Sequence, residues 1–168
     1  EGEVCGTDKL PEIERNRPSA KTTTILNNKV YNSCKQIRWY HVADYAMYLR
    51  KGSSTTNCTN YITALFNNNG IIYMNEGVPI QLKYIQINTA TDEYQSLPTN
   101  SSSAWLTRFG QVTMNDMHGC DLAMLLTTKG GNMGGVAWLD VLCATYSPTQ
   151  HAGPYAFTNI SNTTTTTV

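Results

Sequence analysis

The sequence predicts an α/β protein with a twisted, mostly parallel mixed sheet and two long helices. Three observations carry this. Strand-like runs of β-branched and aromatic residues recur along the chain, and two segments between them space their apolar residues at helical period. The third is Asp121 to Thr127, an almost continuous apolar run of the kind buried on both faces in a parallel sheet. Strand, helix, strand, helix, strand in that order is what crossover connections between parallel strands produce. At 168 residues the chain fits one domain with a sizeable core.

Residues 1–35 carry Pro11, Pro18 and the charged run Glu12 to Arg17 with little periodicity, and read as an extended leader. The first strand is expected over Gln36 to Tyr48, where Ile37, Trp39 and His41 alternate with Arg38 and Tyr40. After a turn at Lys51 to Ser54, Thr56 to Met74 places Ile62, Leu65, Phe66, Ile72 and Tyr73 near one helical face, capped by Thr55 or Thr56. Asn67, Asn68, Asn69 and Gly70 are poor helix formers, so packing is expected to hold that stretch. Gly77-Val78-Pro79 breaks the chain before an alternating second strand, Ile80 to Ile87. Ser102 or Ser103 is expected to cap a second helix with Trp105, Phe109 and Val112 on one face, ended by Gly119. A Gly-rich turn, Lys129 to Gly135, leads into a further strand over Val136 to Leu142. Tyr155 to Ile160 is a candidate last strand, and Asn162 to Val168 is a Thr-rich, low-complexity tail.

Twelve Lys plus Arg balance twelve Asp plus Glu, so no net field draws the chain to nucleic acid or to an anionic membrane. The apolar runs Leu122 to Leu126 and Val136 to Leu142 fall far short of the roughly 20 residues that span a bilayer. Nucleic acid and membrane are therefore set aside as partners. The first residues lack a basic start and an apolar run, from which any signal peptide is expected to have been removed already. Low charge, five cysteines and abundant Thr, Asn and Ser suit a secreted, extracellular protein. Asn-x-Ser/Thr triplets begin at Asn57, Asn100, Asn159 and Asn162 and are glycan acceptors only in a eukaryotic source; in so Asn- and Thr-rich a chain they also arise by chance. Cys5, Cys34, Cys58, Cys120 and Cys143 are odd in number, so in an oxidising compartment one is free, capped or paired outside the chain.

The chain lacks the usual signs of a self-contained catalytic site. A zinc hydrolase needs clustered imidazoles, commonly two His one helical turn apart with a Glu between them, but His41, His118 and His151 are far apart in sequence. Each reads as an ordinary strand or loop residue, and no metal ligand is assigned. Neither a Gly-x-Ser-x-Gly elbow nor a phosphate-cradling Gly loop with Lys and Ser/Thr occurs. Cys143 with His151 is a nucleophile pair only on paper; a half-cystine and a loop His are the plainer reading.

The words of the elements nonetheless resemble one family. Val42-Ala43-Asp44-Tyr45, then Tyr61 to Met74 followed by Val78-Pro79-Ile80-Gln81-Leu82, is similar to the opening strand, first long helix and second strand of reprolysin-type (adamalysin-like) zinc metallopeptidases. Phe109-Gly110, Asp121 to Thr127, and Gly135 to Cys143 resemble that family's later elements in order, including its edge strand and the Cys after it. The resemblance covers residues 36–160 and implies the upper subdomain of a metzincin, after a leader over 1–35 that is a candidate propeptide remnant and before a tail over 161–168. It implies zinc in the complete domain, yet the His-Glu-x-x-His-x-x-Gly-x-x-His helix expected after Ile160 is not in this sequence, so this chain alone is expected to bind none.

The resemblance also suggests roles for particular residues. Gly135, Val136, Ala137 and Trp138 match the edge that holds an extended peptide; Gly134 and Gly135 would allow close backbone approach. A plain interior strand is the alternative there. Cys143 matches a cysteine that pairs with one beyond the zinc-binding helix. Cys5-Gly6 resembles the inhibitory switch of the family's propeptides, in which a thiolate fills zinc's open position; a half-cystine is the alternative. Arg38 stands where many members place a calcium-binding Glu, so the calcium site is not carried over although Asp121 matches another of its ligands. Two functions follow as expectations. One is a substrate-binding part of a secreted zinc endopeptidase, acting on peptide or protein with a second chain or a C-terminal half completing it. The other is a non-catalytic extracellular structural or interaction protein.

Overall fold

The computed structural model describes residues 36–160. The leader, the tail, Cys5, Cys34 and Asn162 lie outside them. β1 (Ile37–Ala43) is shorter than expected, because Asp44 ends it. The Asp44 carboxylate accepts the backbone N–H of Met47 at 2.8 Å and starts α1 (Tyr45–Arg50). Strand propensity in Tyr45 to Tyr48 thus loses to a cap. The long helix α2 (Thr55–Asn75) is capped by Ser54, not by Thr55 or Thr56.

β2 (Ile80–Ile87) has the expected bounds, and a short 3-10 turn (Glu93–Ser96) follows it. Ser101 caps α3 (Ser102–Thr113), one residue ahead of the expected Ser102 or Ser103. The helix stops at Thr113, well before Gly119, whose φ of 67° serves a later turn. β3 (Leu122–Thr127) and β5 (Tyr155–Asn159) follow expectation, but β4 is only Val136–Ala137. The run to Leu142 does not stay extended: Asp140 and Cys143 take left-handed φ values of 58° and 64° and turn the chain away.

The sheet order is β2-β1-β3-β5-β4, parallel except for β4, which runs antiparallel to β5. This is the mixed, mostly parallel α/β sheet predicted. On one face α1 and α2 cover Ala43, Leu126 and Ile160 with Met47 and Ile62 respectively. On the other, Trp105, Leu106 and Phe109 of α3 pack against Tyr40, Val42, Leu125 and Phe157. Val112 is 40% exposed, so Leu106 takes its expected place in the buried face.

The buried side chains of α2 are Cys58, Ile62 and Phe66, and beyond them Tyr73 meets the Trp39 ring of β1 edge-on. Ile72 is 63% exposed, and Asn67, Asn68 and Asn69 face solvent, so the turn they form is held by its neighbours in the helix and not by burial of its own side chains.

Candidate functional site

The residues matched to a peptide-holding edge lie at one end of the sheet. Val136 pairs with Phe157 and Ala137 with Ala156, and among the described residues β5 is the one strand beside β4. Val136 and Trp138 turn their side chains into the core, where they are 3% and 7% exposed; Ala137 is half-buried. What this segment offers a ligand is therefore main chain more than side chain. A Cβ on Gly135 would stand 3.5 Å from the Phe157 carbonyl, an ordinary contact, so β5 does not demand glycine there.

The loop leading into β4 is tied down from β5. The Asn159 amide donates to the Met133 carbonyl at 3.1 Å, both residues being buried. That role withdraws Asn159 as a glycan acceptor, whereas Asn57 and Asn100 are exposed. Behind the edge, the Trp138 indole N–H and the Tyr155 hydroxyl are buried close to one another, and Tyr155 lies against Gly110 of α3.

At the carboxyl ends of β1 and β3 the order of strands reverses, the place where open α/β sheets usually hold ligands. Here the crevice is filled from within. Asp44, fully buried, accepts the Thr127 hydroxyl at 2.6 Å as well as the N–H of Met47. Asp92 accepts the N–H of Tyr45 at 2.8 Å and the Asn88 amide at 2.9 Å, and Gln95 donates to it at 3.0 Å. Lys129 closes the group by donating to the Gln95 carbonyl. Burial pushes the Asp44 carboxyl up to about 6, the bonds from Thr127 and Met47 opposing it. The family resemblance runs through Asp44 without assigning it a role, although an Asp directly after an apolar strand is a legible cap.

The three histidines stand in three places. His41 is buried between Trp39 and Phe66, and burial pushes its imidazole down to about 4. His118 lies over the Tyr84 ring at 3.9 Å between centroids and 3.4 Å from Asp116. His151 meets the Tyr146 hydroxyl at 3.1 Å. Among the described residues no three His, Cys, Asp or Glu side chains come together as a metal site. These described residues do not fit a zinc ion.

Asp121 does not wait for a cation. Arg38 donates to both its carboxylate oxygens, from Nε at 2.9 Å and Nη2 at 2.7 Å, and the Arg38 N–H adds a third bond at 2.8 Å. These bonds hold the carboxyl below its ordinary range. Arg38 thus supplies in its own side chain the positive charge that a calcium would bring. Cys143 is exposed and is joined to neither Cys58 nor Cys120. Among the described residues no helix is long and apolar enough to cross a membrane.

No curated protein matches the chain. A family model described as Metallo-peptidase family M12, of reprolysin type, matches residues 33–168, most of the sequence and all of the sheet. With the parallel sheet, its antiparallel edge and the two covering helices in the order that the resemblance implies, this chain belongs to metallo-peptidase family M12.

Proposed function

We propose that this chain is the sheet-bearing part of a secreted zinc-dependent endopeptidase, and that Gly135 to Trp138 receive an extended peptide or protein segment. The observation that carries the reading is the placement of β4: antiparallel to β5, last in the strand order, in a chain of the M12 family. A substrate chain running beside Gly135 and Val136 would be held by main-chain hydrogen bonds, which recognise an extended backbone whatever its sequence. The buried side chains of Val136 and Trp138 fix that backbone from behind, and Asn159 fixes the loop before it. In this reading zinc is held by residues other than 36–160, Cys143 bonds to a cysteine outside them, and Cys5 is the thiol that blocks the metal.

The test is intact mass together with zinc content and cleavage of a general protein substrate. The 168-residue chain alone should cleave nothing and hold no stoichiometric zinc, while an active preparation should contain further polypeptide and about one zinc per site. Chelator-sensitive cleavage by the 168 residues alone would overturn the division of labour. Absence of cleavage and zinc from the complete native protein would instead support a non-catalytic extracellular role.

A further inference from the structure

We propose that β2, at the opposite end of the sheet from β4, pairs antiparallel with β2 of a second copy of this chain, joining two sheets into one. The strand reads Ile80-Gln81-Leu82-Lys83-Tyr84-Ile85-Gln86-Ile87. Laid antiparallel on itself, it sets Ile80 against Ile87, Gln81 against Gln86 and Leu82 against Ile85, with Lys83 and Tyr84 at the centre.

In a regular strand such a match fails, because an odd offset puts opposing residues on different faces of the sheet. This strand is not regular. Its register against β1 shifts between Trp39 and Tyr40, where Leu82 is followed in pairing by Tyr84 and Lys83 is the extra residue of a bulge. The shift restores the match. Ile80, Leu82, Ile85 and Ile87 all stand beside odd-numbered residues of β1, on the face that α2 covers, and Gln81 and Gln86 stand on the other. A two-fold axis through the bulge and normal to the sheet then superposes apolar on apolar and amide on amide.

The main chain agrees. The Pro79 carbonyl accepts Ile37 N–H at 3.0 Å, and Asn88 N–H donates to the Ala43 carbonyl at 3.0 Å, so both point toward β1. Alternation from either end turns the N–H and C=O of Ile80, Leu82, Ile85 and Ile87 away from β1, and β1 is the one strand beside β2 among the described residues. The opposed pairs of the two-fold arrangement are therefore those able to exchange both N–H···O bonds.

Edge strands commonly guard themselves with a lysine. Lys83 is the single charge on β2, and its ammonium is drawn back to the Gly119 carbonyl at 3.0 Å. The four aliphatic side chains remain half-exposed, and a symmetric copy would cover them with their own kind. The two ends of the sheet are about 19 Å apart at roughly 4.8 Å per strand, so this pairing leaves the peptide edge uncovered and stands or falls without it.

Sedimentation of the full 168-residue chain should give a dimer mass. Ile85→Pro removes an outward N–H while leaving the bonds to β1 in place; it should weaken dimerisation at least tenfold with the far-ultraviolet circular dichroism of the parent. Register is tested separately by mixing Leu82→Cys chains with Ile85→Cys chains under mild oxidation. Peptide mapping should find residue 82 joined to residue 85 of the other chain. A monomeric parent, a dimer indifferent to Ile85→Pro, or a different cross-link in the mixed sample would each overturn the proposal.

Discussion

At the scale of single residues, Asp44 does the most. It ends β1, caps α1 and bonds to Thr127 on β3, so one carboxylate connects three elements. Asp44→Ala is expected to cost about 1–2 kcal/mol for the cap alone, with more for leaving the Thr127 hydroxyl buried without its acceptor. Its pH signature is separable. Burial raises the carboxyl from 3.8 to about 6, so between those values the folded chain keeps a proton that the unfolded chain has lost. Its contribution to stability is thus complete below pH 3.8 and is lost as the pH rises through about 6. Asp121, held low by Arg38, runs the other way and loses its contribution in acid. Subtracting Asp44→Asn from the parent isolates the first effect. The melting temperature of the parent relative to the variant should fall between pH 4 and pH 6 and level off above pH 7. A difference independent of pH would refute the assignment.

At the scale of elements, two helical glycines give opposite expectations. Gly70 in α2 has nothing within 4 Å of the place a Cβ would take, so Gly70→Ala should stabilise by about 1 kcal/mol through helix propensity. A Cβ at Gly110 in α3 would stand 2.2 Å from the Tyr155 hydroxyl and 2.3 Å from its ring. Tyr155 is 2% exposed and has nowhere to go, so overpacking of about 1–3 kcal/mol outweighs the same propensity gain. Urea denaturation of the pair measures both, and a stabilising Gly110→Ala would contradict the packing described. Nothing in the sequence around Gly110 marks the difference, because the clash comes from a tyrosine far along the chain. The two long helices were legible from period, though α1 was not, and their first residues were misplaced by one or two because adjacent Ser and Thr compete as caps. The extra length read into β1 and β4 has a common cause: apolar content persists past the point where Asp44, Asp140 and Cys143 turn the backbone.

At the scale of the molecule, the order of strands and helices and the buried character of β3 could be read from the chain, because periodicity and crossover handedness leave few arrangements. Which strands end the sheet could not be read directly. β2 alternates like an ordinary strand, and its bulge at Lys83 appears only in the register with β1. The proposed peptide edge rests on family words and not on chemistry, since Gly, Val, Ala and Trp carry no reactive group. With Val136 and Trp138 turned inward, the recognition proposed there rests on main chain and not on side chains. The most direct measurement is photo-cross-linking of an extended peptide carrying a benzoylphenylalanine to the 168-residue chain, with the adducts mapped by mass. The account predicts adducts within Gly135 to Trp138; adducts confined to other surfaces, or to Ile80–Ile87 at the far end of the sheet, would contradict it.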